Sequence, residues 1–151
     1  MESTTEKTIA TFAHLSSLTQ YFIPFGNYIF PIILWTSKKE QSEFVDHNGK
    51  QALNFQLSIL IYSLILAMIA IPIFLYTVLK NISFNDFVNN NDIIFENFDY
   101  GNSIGILTVG VLALFVLACI KIAEFFLVIY ASIKASNGEE YNYPLTISFL
   151  K

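Results

Sequence analysis

Residues 51–79 read QALNFQLSILIYSLILAMIAIPIFLYTVL, 29 positions without one Asp, Glu, Lys or Arg. A helix needs about 20 apolar residues to cross a hydrocarbon core of roughly 30 Å. At 1.5 Å per residue this run reaches about 43 Å, so as a crossing it has to tilt or protrude. Working outward, residues 8–37 are equally free of these charges, and residues 103–133 are broken only by Lys121 and Glu124. Three such stretches in one short chain predict an all-α integral membrane helix bundle.

Composition agrees. Hydrophobic residues make up 54% of the 151 positions and charged residues 13%, against about 25% charged in a typical soluble domain. A separate soluble domain has no room, and the chain reads as one membrane domain, 1–151. The single cysteine, Cys119, permits no internal disulfide. The first residues, MESTTEK, lack the basic region of a cleaved signal peptide. Eight scattered lysines and a net charge of −4 argue against nucleic-acid binding.

The segments follow from where the charges fall. Residues 8–35 form a broken apolar element, with Thr8 a candidate N-cap. The run Ile23-Pro24-Phe25-Gly26-Asn27 interrupts it, because proline and glycine so close together end a helix. Pro31 fits near the start of the second piece. The element is either one kinked crossing or a short hairpin whose arms, about 20 Å each, are too short to cross. Residues 36–50 form a polar connector, 51–79 a transmembrane helix, 80–102 an acidic connector, 103–134 a second transmembrane helix, and 135–151 a tail. Lysines gather beside Trp35, Gln51 and Ile133, whereas 81–102 hold four acids and no lysine. The positive-inside rule then predicts a multi-pass protein of the cell membrane with its first connector and C-terminus cytoplasmic.

Four pieces carry a family likeness: AHLSSL (13–18), FIPFGNYIFPIILW (22–35), SEFVDHNGKQALNFQ (42–56) and IKASNGEEYNYPLTI (133–147). In content and order they resemble a bacterial family of small integral membrane proteins without assigned function. That family is distantly related to the twenty-kilodalton component of the chloroplast inner-envelope protein translocon. The likeness implies a small membrane helix bundle and, more remotely, a link to translocation.

Two constellations stand out. Asp46, His47, Asn48 and Asn54 lie where the polar connector enters the long apolar helix, and with His14 they form a candidate cytoplasmic-face interaction patch. The alternative is structural: Asp46 or Asn48 as helix cap, and Asn54, a buried amide, in need of a partner. Lys121 and Glu124, three apart, share a helix face as a candidate intramembrane ion pair. Charges that deep belong to a proton or ion path or neutralise each other. Gly101 and Gly105 give a weak small-xxx-small signal. No catalytic set, cofactor loop or metal-ligand spacing is present. The sequence therefore predicts a non-enzymatic accessory or scaffold subunit without cofactor or metal. Its partners are membrane lipids and other membrane proteins or copies of itself. The alternative is an oligomeric transport or protein-translocation component.

The orientation is testable by labelling. In a Cys119→Ala background, a cysteine at Asn90 reacts with an impermeant thiol reagent from outside intact cells, whereas one at Ser42 stays unlabelled; labelling at Ser42 reverses the assignment.

Overall fold

The computed structural model describes residues 2–81 and 100–151, leaving side chains aside at 77–103 and 106–107. The acidic connector expected at 80–102 thus falls, apart from its ends, outside the described residues. Among the described residues every regular element is helical: α1 (Thr4–Leu15), a 3-10 turn (Ser16–Tyr21), α2 (Gly26–Lys38), α3 (Glu43–Asn81) and α4 (Tyr100–Ser136).

α1 and α3 begin where a side chain satisfies a free N–H group, which is earlier than the apolar pattern suggests. Ser3, not Thr8, caps α1. Its Oγ accepts from the Glu6 N–H at 3.2 Å, and its own N–H donates to Glu6 Oε2 at 2.7 Å, a full capping box. Thr8 sits inside the helix and donates to the Thr4 carbonyl. Ser42, not Asp46 or Asn48, caps α3, its Oγ accepting from the Val45 N–H at 3.3 Å. Most of the polar 36–50 segment is therefore helix, and residues 39–42 alone join α2 to α3. Asp46, His47 and Asn48 occupy the first two turns of α3 instead of a loop.

The broken N-terminal element is a hairpin, with α1 and α2 packed side by side. Phe12, Leu15 and Thr19 face Phe30, Ile33 and Leu34 across one groove. Thr19 closes the turn, its carbonyl accepting from the N–H groups of Phe22 and Ile23 at 3.0 and 2.8 Å. Phe25 takes a left-handed φ of 61°, an uncommon conformation for a residue with a Cβ. A side chain on Gly26 would overlap the Thr19 hydroxyl, so the return needs glycine there. Pro31 lies in the second turn of α2, not the first; its missing N–H leaves the Asn27 carbonyl without the usual helical donor.

By packing, the chain forms two compact units, Met1–Ile61 with Ile120–Lys151, and Tyr62–Cys119. In the first, Ala10 on α1 meets Phe44 on α3 and Ala135 on α4, and the two small alanines let the backbones of α1 and α4 approach closely. A second cluster joins Phe55 and Ile59 of α3, Val128 and Ala131 of α4, and Tyr143 of the tail. The other unit carries the C-terminal half of α3 and the N-terminal half of α4. There Leu64, Met68, Phe74, Leu112 and Phe115 are all exposed.

That exposure decides how α3 and α4 are solvated. Glu43–Tyr76 and Thr108–Ser136 are each long and apolar enough to cross a membrane, yet only 6% and 17% of their most apolar windows are buried. The core helix of a water-soluble protein would be mostly covered. At about 25 cal/mol per Å² of apolar surface, leaving such faces in water is strongly unfavourable, and lipid removes the cost.

One glycine tests the packing with an unusual sign. Gly49, inside α3, lies flat against the Trp35 ring, and any Cβ there overlaps that ring. Alanine normally improves a helix interior by about 1 kcal/mol. Gly49→Ala should instead cost about 1–3 kcal/mol through overpacking. Gly105→Ala, with open space around it, should be neutral or stabilising. Thermal unfolding in detergent checks both.

Candidate functional site

A polar stripe on α3 receives the C-terminal tail. Residues 139–151 have no strand partner among the described residues, so their backbone groups need acceptors and donors elsewhere. Side chains of α3 supply them. Asn54 Oδ1 accepts from the Phe149 and Leu150 N–H groups at 3.1 and 2.8 Å, and Asn54 Nδ2 donates to the Leu150 carbonyl at 3.0 Å. Ser58 Oγ accepts from the Ile147 N–H at 2.8 Å and donates to the Asn54 carbonyl. Gln51 Oε1 accepts from the Tyr143 N–H at 3.4 Å. Positions 51, 54 and 58 share one helix face, and together they form a rail along which the tail lies. Asn54 does have the partner that burial demands, and that partner is backbone.

Beside the rail runs a buried hydrogen-bond chain through three elements. Tyr143 Oη lies 3.0 Å from His14 Nδ1, His14 Nε2 lies 2.9 Å from Asn48 Oδ1, and Asn48 Nδ2 donates to the Phe44 carbonyl at 2.9 Å. The Asn48 amide fixes the direction: with Nδ2 donating to Phe44, Oδ1 must accept. His14 Nε2 then carries the proton, and Nδ1 accepts from the tyrosine hydroxyl. This is the arrangement of the neutral imidazole, the form that burial favours. Burial, the largest cause, pushes the His14 pKa down to about 4; the Asn48 bond opposes this and His47 adds to it. Burial likewise raises the Tyr143 phenol well above its usual range, with Tyr141 and Glu124 adding to the effect, so it remains a donor. Phe55 stacks on the Tyr143 ring at 4.1 Å and 6°.

The remaining candidate residues separate by task. Asp46 Oδ1 accepts from the Trp35 indole N–H at 2.8 Å, and the Asp46 carboxylate also pairs with Lys50 one turn on. Lys39 lies over the Trp35 ring at 4.7 Å. Asp46 thus ties α2 to α3. His47 is different. Its Nδ1 is 4.0 Å from Glu140, and its Nε2 is buried without a hydrogen-bond partner. It borders an open polar groove of about 270 Å³ between α3 and the tail, lined also by Glu43, Lys50, Gln51, Ser148 and Lys151. Of the four residues predicted as one patch, Asp46, His47 and Asn54 all border this groove, Asp46 also held by Trp35 and Lys50 and Asn54 by the tail backbone, whereas Asn48 is fully buried in the hydrogen-bond chain.

Lys121 and Glu124 do pair, Nζ to Oε2 at 2.8 Å, and Glu124 is fully buried. A third residue completes the group: Gln20 Nε2 donates to Glu124 Oε1 at 2.7 Å, and its Oε1 accepts from Lys121 at 3.3 Å. Nearby polarity is similarly bridged. Asn27 Nδ2 donates to Gln56 Oε1 at 2.8 Å, and the Tyr28 hydroxyl donates to the Gln56 carbonyl. Sequence reasoning missed Gln20, Gln51, Ser58 and Tyr143. A helical-face count would have aligned Gln51 and Ser58 with Asn54; nothing local marks Gln20, whose partner is 104 positions away. Among the described residues there is no group of three or more His, Cys, Asp or Glu able to hold a metal ion.

A helical hairpin, two long apolar helices and a tail clamped by helix side chains define a small membrane-associated helical protein. The chain belongs to the magnetosome magnetite crystal formation protein family (MamF/MmsF), which matches residues 5–150. No curated protein and no solved structure matches it. The family match agrees with the expected bacterial family of small membrane proteins, while the more distant likeness to a chloroplast translocon component finds no support.

The neutral histidine makes stability pH-dependent. A pKa near 6.5 when unfolded and about 4 when folded means that the unfolded chain takes up the proton first. The contribution is complete above pH 6.5 and is lost as pH falls toward 4, in total on the order of 3 kcal/mol. Melting temperatures in detergent should therefore fall more steeply over this range for the natural chain than for His14→Gln. Tyr143→Phe, which strands the imidazole acceptor, should cost about 1–3 kcal/mol at neutral pH.

Proposed function

We propose that the protein is a non-enzymatic accessory or scaffold subunit of a membrane, engaging lipids or other membrane proteins through the end of the fold that bears the tail. Its family is named for magnetite crystal formation in the magnetosome. On this reading the chain contributes to such a membrane as an organising component and does not itself act on a substrate.

The observation that carries the proposal is the groove beside His47. Asp46, Lys50, Gln51 and Asn54, half of the polar side chains around it, hold α2, α3 and the tail in place and form its frame. Within that frame His47 Nε2 is left without a partner, while Glu43 and Lys151 line the groove with opposite charges. That nitrogen is itself covered by the protein, so what the groove offers a partner is the opposite charges of Glu43 and Lys151, on walls already held by Asp46, Lys50, Gln51 and Asn54. The groove lies where α3 changes from polar to apolar, the level of lipid head groups and of the juxtamembrane segments of neighbouring proteins. On the orientation expected from the lysines, it faces the cytoplasm.

The Gln20, Lys121 and Glu124 group favours support over transport. Both carboxylate oxygens of Glu124 are occupied by donors from the same chain, an arrangement suited to joining the hairpin to α4.

Affinity capture from native membranes in mild detergent tests the proposal. His47→Ala should leave the melting temperature unchanged and remove at least one co-purifying protein or lipid class. Asn54→Leu should lower the melting temperature and release the tail to protease. If His47→Ala, Glu43→Gln and Lys151→Ala all retain the full set of captured partners and lipids, the groove is not the working surface.

A further inference from the structure

The hairpin is too short to cross a bilayer, and its tip suits the depth at which it stops. Its return arm, α2, is 13 residues long, about 20 Å. α1 and α2 lie side by side, and the open end carries the cations, Lys7 on α1 and Lys38 and Lys39 where α2 ends. Lys7 Nζ also donates to the Asn137 carbonyl at 3.5 Å, which sets this end level with the end of α4. A second ruler gives the same depth. Gln20, next to the turn, meets Lys121 and Glu124, and Glu124 precedes Asn137 by 13 residues, again about 20 Å along α4. A bilayer is about 40–45 Å thick with its head groups. With the lysines at head-group level, the tip halts near the middle, and both arms stand in one leaflet.

The chemistry of the tip says what surrounds it. Phe22 and Phe25 are 87% and 72% exposed, and Tyr21 and Ile23 are exposed beside them. The backbone of the turn is closed on itself. The N–H groups of Phe22 and Ile23 donate to the Thr19 carbonyl, that of Gly26 donates to the Ile23 carbonyl at 3.0 Å, and Pro24 has none. Irregular backbone is tolerated in hydrocarbon only where its polar groups are satisfied without water. A turn that binds its own donors and points two phenylalanines outward is fitted to acyl chains.

This depth has a mechanical consequence. A helix that crosses adds the same area to both leaflets. The hairpin adds two helices, each about 10 Å across, to one leaflet and nothing to the other. That leaflet expands against its partner, and the mismatch is relieved where the membrane is convex on the hairpin side, a curvature to which shallowly inserted helices respond. We propose that the hairpin is a one-leaflet wedge. It occupies the acyl-chain region of the leaflet at its lysine-bearing end, and it directs the protein to membrane that is convex on that side and favours such curvature. The wedge shares no residue with the groove beside His47.

Two measurements on the full chain in phosphatidylcholine membranes test this. A nitroxide on Phe22→Cys, in a Cys119→Ala background, reports depth: it should collide freely with oxygen and hardly at all with a water-soluble nickel chelate. A narrow tube drawn from a giant vesicle reports curvature. With Glu40→Cys, at an exposed position, in the same background, an impermeant dye marks only molecules whose lysine-bearing end faces outward. These should be about threefold denser on the tube than on the vesicle. Molecules of the opposite orientation, dyed by a permeant reagent after the outer thiols are blocked, should be depleted from the tube. Phe22→Ala with Phe25→Ala trims the wedge outside the packed fold. It should bring both tube densities closer to that of the vesicle, with the melting temperature unchanged. A nitroxide reached by the chelate, or shielded from both relaxants as in a contact with another copy, would overturn the proposal. So would tube densities that ignore orientation or that the trimmed variant leaves unchanged.

Discussion

The path from Tyr143 through His14 and Asn48 to the Phe44 carbonyl is the constraint on which the first unit depends. It joins the tail, α1 and α3 in one line of donors and acceptors with a single consistent direction. Each member is buried, so each would be costly if unpaired, and that same burial holds the imidazole neutral. Because His14 lies on a face lined by Ala10 and Ala13, α1 can come close enough to α3 and α4 for the ring to reach both partners. Helix spacing and hydrogen bonding therefore fix each other.

The tail depends on the same principle in another form. Extended backbone is usually satisfied by a neighbouring strand. Here a helix that is otherwise almost wholly apolar presents Gln51, Asn54 and Ser58 on one face, and these take up the tail backbone. Asn54 alone makes three of these bonds. A polar side chain in such a helix carries a desolvation cost unless it finds partners; the tail supplies them, and the rail in turn satisfies the tail. Neither part is stable in this position without the other, which is why Tyr143 can contribute both to the buried line and to the core against Phe55 and Val128.

The long apolar runs made the helices legible in the sequence, since charge-free lengths of this size have few other solutions. The break at residues 23–27 was legible too, because proline and glycine punctuate locally, although whether it bent or reversed the chain depended on Thr19 and on the packing of Phe12 and Leu15 against Ile33 and Leu34. Helix starts were misplaced because apolar pattern and capping disagree: Ser3 and Ser42 extend α1 and α3 into polar sequence. At the site, the need of Asn54 for a partner followed from its type and depth, but the partner lies 96 positions away and is a peptide group, which no side-chain pattern announces. Lys121 and Glu124 were found because they are three apart. Gln20 was not, because the hairpin that brings it there is a tertiary event.

The rail has a consequence for biosynthesis. A ribosome makes α3 well before residues 147–150. Until those residues emerge, Asn54 and Ser58 lack the backbone groups that complete their hydrogen bonding, although the helix carrying them has already been handed to the membrane. Insertion must therefore pass through a stage in which this face of α3 is kept wet, either at the lipid boundary or inside the insertion machinery. A chain stopped before residue 147 would remain caught at that stage, with its helices made and its assembly unfinished.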